Sequence, residues 1–180
     1  MDNLFSGLIG SKTRIKLLIR FFLNPEAQSY LRQLAKEFNV STNSVREELN
    51  HLTDSKFLRS KKNGRQVYYC ANQEHPLFPE LASMVRKVTG VDQVIDGIIN
   101  RLGELESAYL IDDYAEGKDT GIIDLVLVGN INMYHLNDLS RKTERYVKRK
   151  IRSLVLTKEE HEKLLPTLKD RVQLLIWESK

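Results

Sequence analysis

Apolar residues recur at helical spacing through the first third of the chain. Ile15, Leu18, Ile19, Phe22 and Leu23 form one stripe across residues 13–23. Asn24-Pro25 closes that helix, because the residue before proline is pushed out of the α region. A second stripe, Leu31, Leu34, Ala35 and Phe38, follows Ser29, which can act as its N-cap. After a turn at Asn39-Val40-Ser41, the positions of Val45, Leu49 and Leu52 at i, i+4 and i+7 predict a third helix over residues 42–54, capped by Ser41. Two short helices joined by so tight a turn make a helix-turn-helix. Strand-like runs at 58–62 and 65–70 then flank Asn63-Gly64, a pair that suits a hairpin in which both central residues take positive φ. Lys61, Lys62 and Arg65 stand at its tip. A helix-turn-helix followed by such a hairpin is a winged helix.

Residues 77–88 predict a further helix with Leu81, Met84, Val85 and Val88 on one face, and Gly90 interrupts the pattern. The domain boundary is placed there, giving domains 1–89 and 90–180. In the second, Val94, Ile95, Ile98, Ile99 and Leu102 stripe a helix. Strands are expected at 107–112, 122–128, 150–156 and 173–177, with helices near 136–146 and 157–165. A polar turn at 116–119 joins the first two strands. Thr157 and Glu160 form a T-x-x-E capping box. Helices alternating with strands indicate a sheet domain, so the chain as a whole is expected to be α+β.

Charge separates the same two halves. Residues 1–88 carry a net +6, whereas residues 89–180 carry −2, out of a total of +4. The first half is therefore the one suited to a polyanion. No run approaches the ~18 apolar residues of a spanning helix, since Arg20 breaks the stretch from Leu17 to Leu23. The opening residues lack the basic region of a secretory signal. One cysteine, Cys70, excludes an internal disulfide framework. A soluble, cytoplasmic protein is the expectation, with no bound metal or cofactor and no membrane partner.

With Val45, Leu49 and Leu52 turned inward, the third helix should present Thr42, Asn43, Ser44, Arg46, Glu47 and Asn50 to solvent. Small and amide groups can approach base edges, and an arginine can take a guanine edge or a phosphate. Ser41 and Thr42 open the helix, where backbone N–H groups can meet phosphate. Lys61, Lys62 and Arg65 suit contacts to the DNA backbone or minor groove. The candidate DNA-binding set is thus Ser41, Thr42, Asn43, Ser44, Arg46, Asn50, Lys61, Lys62 and Arg65. The order Leu34-Ala35-Lys36-Glu37-Phe38-Asn39-Val40-Ser41, then Val45 with Leu49-x-x-Leu52, then Gly64-Arg65-x-x-x-Tyr69, resembles the ArsR-like winged-helix transcriptional regulators over residues 11–88. That resemblance implies a homodimer on a pseudo-palindromic double-stranded DNA operator. Leu4, Phe5, Leu8 and Ile9, with the stripe from Leu81 to Val88, are the expected dimer contacts.

In the second half, the segment Leu110-Ile111-Asp112-Asp113-Tyr114-Ala115-Glu116-Gly117 precedes Ile122-Ile123-Asp124-Leu125-Val126-Leu127-Val128-Gly129. Over residues 92–177 the chain resembles the polymerase-β-type minimal nucleotidyltransferases. The resemblance implies a Gly-Ser pair for nucleotide phosphate and an Asp-x-Asp for Mg²⁺. Here Asp112 and Asp113 occupy the Gly-Ser positions, Ile122 replaces the first metal aspartate, and Asp124 alone remains. Residues 151–156 supply no further carboxylate. One carboxylate is a poor anchor for octahedral Mg²⁺. No catalytic residue is assigned, and the domain is expected to serve dimerisation, effector sensing or partner binding. The competing expectation is a nucleotidyltransferase with an atypical Mg²⁺-dependent site.

Several other features invite chemistry. Asp112, Asp113, Glu116, Asp119 and Asp124 suggest either a pocket for a cation or basic ligand or an acidic loop in water, the second being expected. The run Arg141-Lys142-x-x-Arg145-x-x-Lys148-Arg149-Lys150 reads as a solvated face, with DNA or a partner subunit's acidic loop as alternatives. His51, His75, His135 and His161 show no ligand spacing. Cys70 reads as a small buried hydrophobe, Tyr68-Tyr69 as hairpin packing, and Trp177 as a core or interface residue.

Overall fold

The computed structural model describes residues 7, 9–168 and 171–179. The fold is α+β, and the chain divides into two compact units, Met1–Val88 and Thr89–Lys180. Among the described residues, no helix is long and apolar enough to cross a membrane. Leu4, Phe5 and Leu8 lie outside the described residues.

The first unit begins with α1 (Lys12–Leu23), whose N-cap Ser11 accepts the Arg14 N–H at 3.2 Å. Its burial exceeds one stripe, because Leu17 and Phe21 are fully buried beside the predicted positions. A helix apolar on most sides must sit at the centre of its domain, and α1 does. Even Arg20 is buried within it, paired with Glu37. Ser29 caps no helix. It forms β1 (Ser29–Tyr30), and α2 (Leu31–Phe38) starts from Tyr30 without a side-chain cap. Sheet pairing competes here with capping and wins, since β1 satisfies its backbone against the hairpin. Asn39 takes the left-handed conformation (φ 52°) that ends α2 and turns the chain into α3 (Thr42–Asp54).

Strands β2 (Leu58–Asn63) and β3 (Gln66–Ala71) form the wing, and the three-stranded sheet has the order β1-β3-β2. The turn differs from the expected Asn63-Gly64 by one position. Asn63 pairs with Gln66, so Gly64-Arg65 is the two-residue loop, and only Gly64 has positive φ (60°). A turn with positive φ at its first central residue alone needs glycine there and tolerates arginine next. Helix α4 (Phe78–Thr89) follows. Of its predicted dimer stripe, Val85 is fully buried within the protomer, Leu81 and Val88 are half-buried, and Met84 is exposed.

In the second unit α5 (Val91–Gly97) leads through a short 3₁₀ turn at Ile99–Arg101 to β4 (Leu105–Ile111), α6 (Asp112–Ala115) and β5 (Ile122–Gly129). Then come α7 (Met133–Val147), β6 (Lys150–Leu156), α8 (Lys158–Leu168) and β7 (Gln173–Glu178). The sheet order is β6-β5-β4-β7, with only β5 and β6 parallel. The capping box forms as read: Thr157 N–H donates to Glu160 Oε2 at 2.8 Å and Glu160 N–H to Thr157 Oγ1 at 3.2 Å. Strand β5 is buried without alternation from Leu125 to Gly129, the pattern of a strand covered on both faces. Ile111, Val126, Val128 and Leu156 pack together on one face, with Tyr109 and Leu164 of α8 against them. At Gly129 a Cβ would lie 2.3 Å from the Glu104 carbonyl oxygen, so only glycine lets β4 and β5 approach there.

Candidate nucleic-acid interface

The outer face of α3 is set by its inner one. Val45 and Leu49 are fully buried and Leu52 nearly so, which leaves Thr42, Arg46 and Asn50 aligned at i, i+4 and i+8 on the exposed side. Asn43 and Glu47 lie beside this row and hydrogen-bond to each other, Asn43 Nδ2 to Glu47 Oε1 at 2.9 Å. Ser41 is exposed and its Oγ accepts the Ser44 N–H at 3.1 Å, as an N-cap should. Ser44 departs from the expected set. It is half-buried and its hydroxyl lies 3.1 Å from Thr13 Oγ1 of α1, so it anchors the helix rather than reaching outward.

A second tie from α1 fixes the helix. Arg14 Nε donates to Glu48 Oε2 at 2.7 Å, with the Glu48 side chain only 11% exposed. Burial alone would raise the Glu48 carboxyl. Hydrogen bonds from Ser11 and Arg14, with the Arg14 charge, outweigh it and hold the carboxyl below the usual carboxylate range. The outer face of α3 is therefore held on a buried element through two side-chain contacts, Thr13 to Ser44 and Arg14 to Glu48.

Arg46 and Asn50 open into a cleft of about 660 Å³ between α3 and the wing. Its wall also carries Arg65 and Gln66 from the wing, Tyr69 from β3 and Arg32 from the first turn of α2. Three guanidinium groups from three elements thus surround one space. Among the described residues none of them forms an ion pair with a carboxylate. Arg32 was not part of the expected set. Its position on the polar side of α2 marks it as exposed, but only the fold brings it opposite Arg46.

The wing lysines are not equivalent. Directly opposed residues of an antiparallel pair share a face. Lys62 faces Val67 and so lies on the side of Tyr69 and the cleft, whereas Lys61 faces Tyr68 on the other side. Tyr68 packs edge-on against Tyr30 at 5.6 Å between ring centroids and donates its hydroxyl to Gln66 at 2.9 Å. Both lysines are exposed. Cys70 is half-buried in β3.

In the second unit the acidic residues are ion-paired within the chain, Asp113 being the most exposed of them. Asp124 on β5 lies opposite Arg152 on β6, which grips it with two hydrogen bonds of 2.6 and 2.7 Å. Arg171 binds both oxygens of Asp112, the nearer to Nε at 2.8 Å. Arg149 binds both oxygens of Asp119, from Nε at 3.0 and 3.2 Å. Lys118 pairs with Glu116 and lies 3.7 Å from Asp113. Each carboxylate of the sequence cluster is thus met by a cation of its own chain. Arg149 closes on Asp119 of its own chain, which leaves it unavailable to an acidic loop elsewhere. Among the described residues, no three His, Cys, Asp or Glu side chains converge to hold a metal ion. Behind this corner Tyr114 is buried and donates its hydroxyl to the Thr89 carbonyl, and burial pushes its phenol well up.

No protein-family model matches the chain, and no curated protein matches it. Among solved structures, reduced HlyU from Vibrio cholerae is 14% identical with a TM-score of 0.38, covering 48% of this chain and 83% of its own. The transcriptional regulator BldR from Sulfolobus solfataricus is 14% identical with a TM-score of 0.37, covering 54% and 70% respectively. A proposed nucleotidyltransferase from the same organism is 18% identical with a TM-score of 0.35, covering 52% and 82%. At such identities and scores these are partial likenesses, and what the site can do follows from its own residues.

Proposed function

We propose that this chain is a sequence-specific DNA-binding transcriptional regulator of the ArsR-like kind, acting as a homodimer on an inverted-repeat operator. The observation that carries the reading is the cleft in which Arg32, Arg46 and Arg65 converge with Asn50, free of carboxylate partners among the described residues. Arg46 and Asn50 are suited to base edges in the major groove, since they project side by side from a helix held by Thr13 and Arg14. Thr42 and Asn43, with the backbone N–H groups at the start of α3, suit phosphate. Lys62 and Arg65 extend the contact along the backbone or into the minor groove, and Arg32 braces the opposite strand of phosphates. Dimerisation is assigned to the outer face of α4, through Leu81, Met84 and Val88. The second unit then serves for dimerisation, effector sensing or partner binding, and the protein works in the cytoplasm.

The test is selection from a random double-stranded DNA pool at two salt concentrations, followed by sequencing. An enriched inverted repeat whose binding weakens as salt rises supports the regulator. No enrichment and no salt-sensitive affinity would sink it. Sedimentation giving a monomer mass at all concentrations would remove the dimer.

A nucleotidyltransferase reading has less support. Its remaining metal aspartate, Asp124, is already bound at both oxygens by Arg152, and Asp112 stands where nucleotide phosphate would have to approach. Mg²⁺-dependent incorporation of labelled nucleotide, abolished by Asp124→Ala, would reinstate it.

A further inference from the structure

The basic run on α7 does more than face water. Its C-terminal end and the start of β6 enclose a cleft of about 450 Å³ lined by Arg141, Glu144, Arg145, Lys148, Arg149 and Lys150, with Gly121 at its edge. Two of the five cations already have partners: Arg149 is held by Asp119, and Lys150 Nζ donates to Glu144 Oε2 at 2.9 Å. The other oxygen of Glu144 accepts the Ile151 N–H at 2.9 Å. Arg141, Arg145 and Lys148 remain. Among the described residues none of them forms a direct ion pair; Arg141 Nε reaches the Asn137 carbonyl at 3.5 Å, and its charge also acts on Asp138.

Two features set this apart from an ordinary solvated face. Cations in the last turn of a helix are favoured by its dipole, which accounts for Arg145 and Lys148 but not for Arg141, nearly two turns from the end of α7. Lys148 also holds a left-handed conformation, φ 56°, at a position where glycine or asparagine is usual. Its side chain lines the cleft together with Arg141 and Arg145. Arg145 also lines the adjoining cleft with Arg101, where Asp96 stands and Lys142 is paired with Asp138.

We infer that the α7 cleft is a phosphate-binding site, with Arg141, Arg145 and Lys148 as its ligating cations. The phosphates come either from a free polyphosphate compound or from a nucleic-acid backbone. The site lies within the second unit and does not depend on DNA reading by the first. It adjoins the Asp119–Arg149 pair, whose arginine lines the same cleft but is already engaged.

The experiment uses the full chain carrying Arg32→Ala, Arg46→Ala and Arg65→Ala, so that the first cleft cannot contribute. Binding of tripolyphosphate is measured by calorimetry, and binding of a short labelled single-stranded oligonucleotide by fluorescence anisotropy over a salt series. Adding Arg141→Gln, Arg145→Gln and Lys148→Gly should weaken binding at least about tenfold. It should also reduce the oligonucleotide salt slope by about 2, the share of three phosphate contacts on a single strand. Glycine suits the left-handed position better than lysine, and an unchanged far-UV spectrum excludes unfolding as the cause. Tripolyphosphate binding identifies a free polyphosphate as a sufficient ligand, whereas oligonucleotide binding alone identifies a backbone. If neither probe binds the starting protein, or if the three substitutions change nothing, the inference is overturned. Loss of duplex selection by the winged helix would not touch either readout.

Discussion

Two sets of three arginines, one in each unit, are held in opposite ways. In the winged helix, Arg32, Arg46 and Arg65 come from three elements into one cleft and are left without carboxylates among the described residues. In the sheet unit, Arg149, Arg152 and Arg171 also come from separate positions, yet each closes on both oxygens of an aspartate. The number of lysines and arginines does not distinguish the two units, which carry 14 each. What differs is whether the fold supplies a counter-charge at hydrogen-bonding distance, and that decides which region has positive charge to offer a ligand. A guanidinium already bidentate to a carboxylate has little to gain from a phosphate, because the new contact must replace one equally good.

The largest effect expected from this contrast is on stability. Asp119→Ala would strand Arg149, whose side chain is 14% exposed, and should cost about 3 kcal/mol in the second unit. Trp177 is the only tryptophan and lies in β7, so its fluorescence during urea unfolding isolates that transition. No change in the midpoint would mean that the pair contributes nothing. Next is Arg46→Ala, which should leave folding intact but weaken a selected operator by about 1–3 kcal/mol and relax the sequence preference. Competition between selected and scrambled duplexes measures both effects.

A smaller difference should separate the two wing lysines. Lys62→Ala is expected to lower the duplex salt slope by about 0.9, the share of one phosphate, and Lys61→Ala by less. Equal effects would mean that the face assigned by strand register does not control the contact. The smallest effect concerns pH. Because the folded Glu48 carboxyl titrates below its ordinary value of 4.5, its ionised form stabilises the winged helix. That contribution is complete above about pH 4.5 and declines as pH falls through the lower folded value. Glu48→Gln should therefore flatten the acid limb of first-unit stability, followed by far-UV circular dichroism against pH.

The same contrast shows where sequence reasoning reaches. Helix α3 and its outer row were legible because Val45, Leu49 and Leu52 leave only one way to turn the helix. The half-burial of Ser44 is not legible locally, because its partner, Thr13, is thirty-one residues away. Asn63-Gly64 correctly signalled a hairpin, but the cross-strand register, which moved the loop to Gly64-Arg65, depends on both strands at once. Arg32 entered the cleft only through tertiary packing. In the second unit the acidic cluster is plain, while its arginines arrive from the α7–β6 junction, from β6 and from the segment before β7. Pairing of that kind is a property of the sheet order and not of spacing along the chain.

That sheet order also constrains how the protein is made. Strand β4 sits between β5 and β7, so one of its edges stays open until β7 has left the ribosome. Roughly 60 residues separate the two strands, about 3–12 s of synthesis at ordinary elongation rates. The winged helix precedes this interval and is free to fold while the half-built sheet waits with an unpaired apolar strand. Newly made chains should be most vulnerable to aggregation, and most dependent on chaperones, during those seconds.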